Sequence, residues 1–143
     1  MADDLKNLIR IHEFGVDEKR RDLGELLKLM GDLEQSQRDL EIEVVNEQRV
    51  AASRPGEADI CYGIYAQGVI MRRERMAESI IQMEVKVGEA RDALSEAYLE
   101  LKKYEIAQEN RDKREALEET RREQSILDEI GINAHRRKAH SFV

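Results

Sequence analysis

The sequence predicts an all-α protein: a long antiparallel two-helix coiled-coil hairpin whose second helix extends beyond the first. Three observations predict it. The second half carries an apolar seam with steps alternating between three and four residues: Tyr62, Ala66, Val69, Arg73, Met76, Ile80, Met83, Val87, Ala90, Leu94, Ala97, Leu101 and Tyr104. Only Arg73 departs from it, and a 3.5-residue repeat held this long marks a coiled coil. The first half carries a matching seam from Leu5 through Ile9, His12, Val16, Lys19, Leu23, Leu26, Met30, Leu33, Gln37, Leu40, Val44 and Glu47 to Ala51. Between the seams lies one short break, Ser53-Arg54-Pro55-Gly56-Glu57-Ala58, which holds the chain's single proline.

Each element follows in order within a single coiled-coil domain. Helix one is expected over about residues 3–53, with Asp3 and Asp4 as acceptors for its free N–H groups and partners for its positive end. The turn spans about residues 54–58, because Pro-Gly is a strong turn signal and proline disfavours a helical Arg54. Helix two is expected over about residues 59–130, with Asp59 able to cap it. Gly131 reads as its C-cap, followed by a basic tail over residues 131–143. Two helices joined by so short a turn pack as antiparallel neighbours.

If the turn centres near Pro55 and Gly56, facing residue numbers sum to roughly 110 and Tyr104 lies opposite about residue 6. On that register the seam ends because helix one ends, and the paired shaft is about 70 Å long at 1.5 Å per residue. Beyond Tyr104 comes a charged stretch in which eleven of the fifteen residues 109–123 are charged, with both signs interleaved. It reads as a solvated helix supported by i,i+3 and i,i+4 pairs, with no partner to bury against. Ile126, Leu127, Ile130 and Ile132 then cluster on it. Glycines 15, 24, 31, 63, 68 and 88 fall inside the predicted helices and off the seams, each costing about 1 kcal/mol relative to Ala.

Composition narrows the function. The chain has 143 residues, 38% charged and 4% aromatic, with a net charge of −7. Such a bias points to long helices, and the negative balance argues against nonspecific nucleic-acid binding. The single Cys61 forms no internal disulfide, which fits a reducing compartment. The start, MADDLKNLIR, lacks the basic segment and apolar run of a secretory signal, and no stretch has the apolar length of a membrane span. A cytoplasmic protein is expected.

Several residues are candidate sites. Ile42 and Val45 on helix one, and Ile64, Met71 and Ile81 on helix two, are large apolar residues off the seam. Single exposed apolar residues are ordinary, but Ile42, Val45, Ile64 and Met71 fall near the turn and suggest a partner-binding patch at the hairpin tip. The charged stretch is either a plain solvated face or a projection entering a charged cavity of a larger assembly. His135 and His140 are five apart, whereas a helical metal pair is spaced i,i+4, so no metal site is expected. His12, Lys19, Gln37 and Glu47 on the seam read as register devices. No Gly-rich phosphate loop, nucleophile elbow or triad is present. The protein is expected to be no enzyme and to need no cofactor.

The residues resemble a family. Leu8-Ile9-Arg10 leads into Val16-Asp17-Glu18-Lys19-Arg20-Arg21. Mid-chain stands Tyr65, followed by Arg72-Arg73-Glu74-Arg75. Later come Leu101-Lys102-Lys103-Tyr104-Glu105, Arg121-Arg122-Glu123-Gln124 and Leu127-Asp128-Glu129-Ile130. Read together over nearly the whole chain, they resemble the FliJ proteins of bacterial flagellar type III export. The helix-interior glycines depart from that pattern.

The resemblance implies an antiparallel two-helix coiled coil similar to the central stalk of rotary ATPases. It implies association with the hexameric export ATPase, promotion of its ring assembly, contact with the cytoplasmic domain of the export gate, and recycling of export chaperones. The protein would be a monomeric rod, peripheral to the inner membrane through the gate. No catalytic residue carries over, since the family has none. In this frame the tip patch would face the gate, and the other end would enter the ATPase ring through Arg114, Leu117, Arg121, Arg122, Leu127 and Ile130. An injectisome stalk is a close variant, and a generic coiled-coil spacer is the alternative from another class.

Overall fold

The computed structural model describes residues 2–54, 56 and 59–141, leaving aside the side chains of residues 2, 59 and 60. The described chain is helical: α1 spans Ala2–Ser53 and α2 spans Asp59–Ser141. Asp3 and Asp4 sit in the first turn of α1, where the helix dipole favours negative charge. At its end Ser53 Oγ donates to the Val50 carbonyl at 2.7 Å, and the Arg54 N–H donates to the Ala51 carbonyl at 3.3 Å. These bonds occupy carbonyls that the helix end leaves free. Gly56 has φ 110°, a left-handed conformation that glycine adopts without a Cβ penalty. The expected turn residues Pro55, Glu57 and Ala58, and the capping side chain of Asp59, lie outside the described residues.

The contacts group into two compact units, Glu13–Tyr98 and Met1–His12 with Leu99–Val143. In the first, α1 and α2 pair antiparallel around Val16, Leu40, Val44, Val69 and Val87, all buried. Leu40, Val44 and Val69 form its central cluster, with Tyr65 and Met76 packed against it. The seams fall where the spacing puts them. On α2, all thirteen seam residues except Arg73 are buried or half-buried; on α1, only Lys19, Gln37 and Glu47 are exposed. The hairpin, with α2 longer than α1, is the predicted fold class.

The register differs from the expected one. Glu41 pairs with Arg73 and Glu43 with Arg72, so facing numbers sum to 114 and 115 rather than 110. In the second unit, His12 stacks on Tyr104 at 4.6 Å and 21°, a sum of 116. Tyr104 therefore faces residue 12, not residue 6. The stop in the apolar seam has a different cause: α1 reaches back to Ala2, and α2 stays half-buried at Gln108 and Arg111. These two residues continue the three-four spacing with polar side chains, so pairing outlasts the apolar pattern.

A second correction concerns the C-terminal end. Helix α2 does not cap at Gly131 near residue 130 but runs to Ser141, so the basic tail is helical. One interior glycine costs only about 1 kcal/mol, and the alanine, arginine and lysine residues after it are good helix formers. Lys138 and His140 occupy the last turn, where the dipole favours cations.

Candidate partner-binding surfaces

Two cross-helix ion pairs mark the register of the paired helices in the Glu13–Tyr98 unit. Arg73 Nε donates to Glu41 Oε1 at 2.6 Å, and its Nη2 donates to Glu41 Oε2 at 2.7 Å. This planar, two-pronged geometry specifies one alignment. One residue earlier, Arg72 Nη1 donates to Glu43 Oε2 at 3.0 Å. The hydrogen bond from Arg73 holds the Glu41 carboxyl below its usual value, against an opposing effect of burial. The single polar break in the α2 seam is thus a cross-helix clamp. Its partners Glu41 and Glu43 lie off the α1 seam, so no apolar pattern marks them.

Tyr65 lies beside this clamp. Its ring packs on the Leu40 cluster, and its hydroxyl is buried with no hydrogen-bond partner among the described residues. Burial, then the carboxylates of Glu43 and Glu47, push its pKa up. Cys61 is exposed nearby.

The four tip candidates are all exposed: Ile42 59%, Val45 53%, Ile64 70% and Met71 55%. They do not form one patch. At about 100° per residue, Ile42 points roughly 180° away from the seam residues Leu40 and Val44, and Ile64 and Met71 do the same on α2. Ile42 and Val45 therefore mark the back of α1, and Ile64 and Met71 the back of α2. The α2 back continues through Val85, exposed and two further seven-residue steps from Met71, a spacing that marks it in the sequence as well. Ile81 is also exposed.

In the second unit, every described residue from 112 to 141 is exposed. Local pairs support this helix: Gln108 Nε2 donates to Asp112 at 2.8 Å, Lys113 meets Glu109 at 3.0 Å, and Arg122 meets Glu118 at 3.8 Å. Leu117, Leu127 and Ile130 are 51%, 67% and 59% exposed. The helical angle divides the candidates here too. Arg114, Leu117 and Arg121 share one side, Leu127 and Ile130 lie roughly opposite, and Arg122 falls between. Ile126 joins Leu127 and Ile130 on their side.

Among the described residues no group of three or more His, Cys, Asp or Glu could hold a metal ion. No described helix is long and apolar enough to cross a membrane. A concavity on the terminal part of α2, lined by Leu117, Arg121, Asp128, Ile132 and Arg136 among others, has walls from one helix only.

A family model described as Flagellar FliJ protein matches residues 1–140. The chain belongs to the FliJ family. Comparisons with curated proteins and with solved structures give no match. FliJ membership makes the protein a component of the flagellar export apparatus, associated with that machinery and serving protein transport. The FliJ family is a non-catalytic export component. Residues 1–140 include both the paired helices and almost all of the exposed end of α2, so the FliJ match covers each surface described above.

Proposed function

We propose that this FliJ-family protein is a non-enzymatic, stalk-like partner of the hexameric export ATPase. In this reading it promotes assembly and activity of the ATPase ring and links the ring to the cytoplasmic domain of the export gate and to export chaperones. One observation carries the reading: residues 112–141 form a continuous helix exposed on every side, with apolar residues on two opposite sides. A helix docking on a flat surface needs one apolar stripe. A helix offering Leu117 on one side and Leu127 and Ile130 on the other suits a socket that surrounds it, as the opening of a ring does.

The backs of α1 and α2 in the paired unit remain for other partners. Ile42 with Val45, or Ile64 with Met71, is the surface for the gate. Acting there would place the protein in the cytoplasm, peripheral to the inner membrane. The chain works as a monomer, because its longest apolar seams are already satisfied within the pair; sedimentation at micromolar concentration tests that directly.

The decisive experiment compares ATP hydrolysis and ring assembly by the cognate export ATPase with the full chain and with a chain ending after Arg111. The cut spares every half-buried position of α2. Stimulation by the full chain alone is expected. Equal stimulation by both removes the role of the exposed helix. For the gate, Ile42→Asp with Val45→Asp should weaken binding at unchanged helicity, and unchanged binding excludes that surface.

A further inference from the structure

The unit formed by Met1–His12 with Leu99–Val143 is held together differently from its neighbour. Leu101 is its one buried residue among those described, against five in Glu13–Tyr98. Leu5 and Ile9 are half-buried, while Ile11 in the same segment is 65% exposed. Past Tyr104, α2 presents Gln108 and Arg111 to this segment instead of apolar residues. Gln108 spends its amide N–H on Asp112, along its own helix. Its Oε1 is buried with no hydrogen-bond partner among the described residues.

A buried acceptor without a donor opposes the closed state, because opening gives it water. Few buried apolar contacts mark the low-stability end of a fold. His12 stacks on Tyr104 at the base of this weak stretch.

We propose that residues 3–11 of α1 are a releasable strap: held at its base by the His12–Tyr104 stack, it lifts from α2 and uncovers Gln108 and Arg111. Lifting lengthens the partner-free part of α2 by about ten residues, or about 15 Å. The strap thereby sets how much of α2 is open to a partner. It does so whether or not that partner is an ATPase.

Spin-label distance measurement on the full chain tests the strap. In a Cys61→Ser background, labels go on exposed Lys6→Cys and Glu109→Cys. A control pair, Arg38→Cys and Arg75→Cys, reports on the strongly packed unit. The strap pair should show a short distance and a second, longer one, and the control pair a single short distance. Gln108→Leu removes the unpaired acceptor and should shrink the longer population by about tenfold, whereas His12→Ala should enlarge it. A single short distance for the strap pair, present in both the unsubstituted chain and His12→Ala, overturns the proposal. So does a longer population that Gln108→Leu leaves unchanged.

Discussion

Leu40 is the one large side chain among the described residues that is fully buried, at 1% exposure. It sits between Val44 on its own helix and Val69 on the facing one, with Tyr65 and Met76 around them. Leu40→Ala deletes three buried carbons, worth roughly 2.5 kcal/mol at about 0.8 kcal/mol each. Leu→Ala in closed cores costs about 2–5 kcal/mol, the upper part reflecting cavities that cannot collapse. A seam between only two helices lies close to water, so neighbouring side chains can fill part of the space. The expected loss is therefore about 2–3 kcal/mol, at the low end of that range. Urea unfolding followed by helical circular dichroism measures it, with an unchanged slope. The comparison is Val45→Ala, five residues on and 53% exposed, which should cost under about 0.5 kcal/mol. A loss at Leu40 below about 1 kcal/mol, or equal losses at both sites, would refute the pairing of α1 with α2 at this register.

Three further outcomes follow from the same geometry. A Cβ at Gly24, Gly31 or Gly88 would meet nothing within 4 Å, so each Gly→Ala should stabilise by about 1 kcal/mol, and the triple variant by about 3; no rise in the melting temperature would show that these glycines answer to something other than helix propensity. Tyr65→Phe removes a buried hydroxyl that has no partner while keeping the ring, so stability should stay equal or rise by up to about 1 kcal/mol; a clear loss would reveal a hydrogen bond to that hydroxyl. Glu41 titrates below its ordinary 4.5 because of Arg73, so its contribution is present above the unfolded value and is lost as pH falls through the lower folded one. Glu41→Gln should then reduce the fall in stability between about pH 6 and pH 3, and an identical acid profile would show that the clamp is idle in solution.

Much of the fold is legible in the sequence because one seam is long and the other is nearly as long. Apolar residues at alternating three and four steps have only one efficient way to leave water, and a lone Pro-Gly break dictates a hairpin. Register is harder to read. It depends on where the turn crosses and on the partners of Arg72 and Arg73, Glu43 and Glu41, whose off-seam positions carry no apolar signal. The paired length beyond Tyr104 is obscured by Gln108 and Arg111, which hold seam positions without seam chemistry. Gly131 looks like a stop, yet glycine ends a helix only where the chain gains by turning, and nothing after it competes with the helix. The candidate surfaces are legible as residues and not as surfaces. Ile42 and Met71 stand out as off-seam apolar residues, but only the paired helices show that they face in opposite directions.

In the proposed function the exposed end of α2 engages the export ATPase. Co-fractionation of the purified chain with the cognate ATPase on size exclusion, with a nonhydrolysable nucleotide present, tests it most directly. The full chain should elute with the ATPase hexamer. A Leu127→Asp, Ile130→Asp variant, helical to the same extent and still carrying the intact paired unit, should elute alone. Co-elution of that variant at the same level as the full chain would contradict the claim, as would elution of the full chain apart from the ATPase.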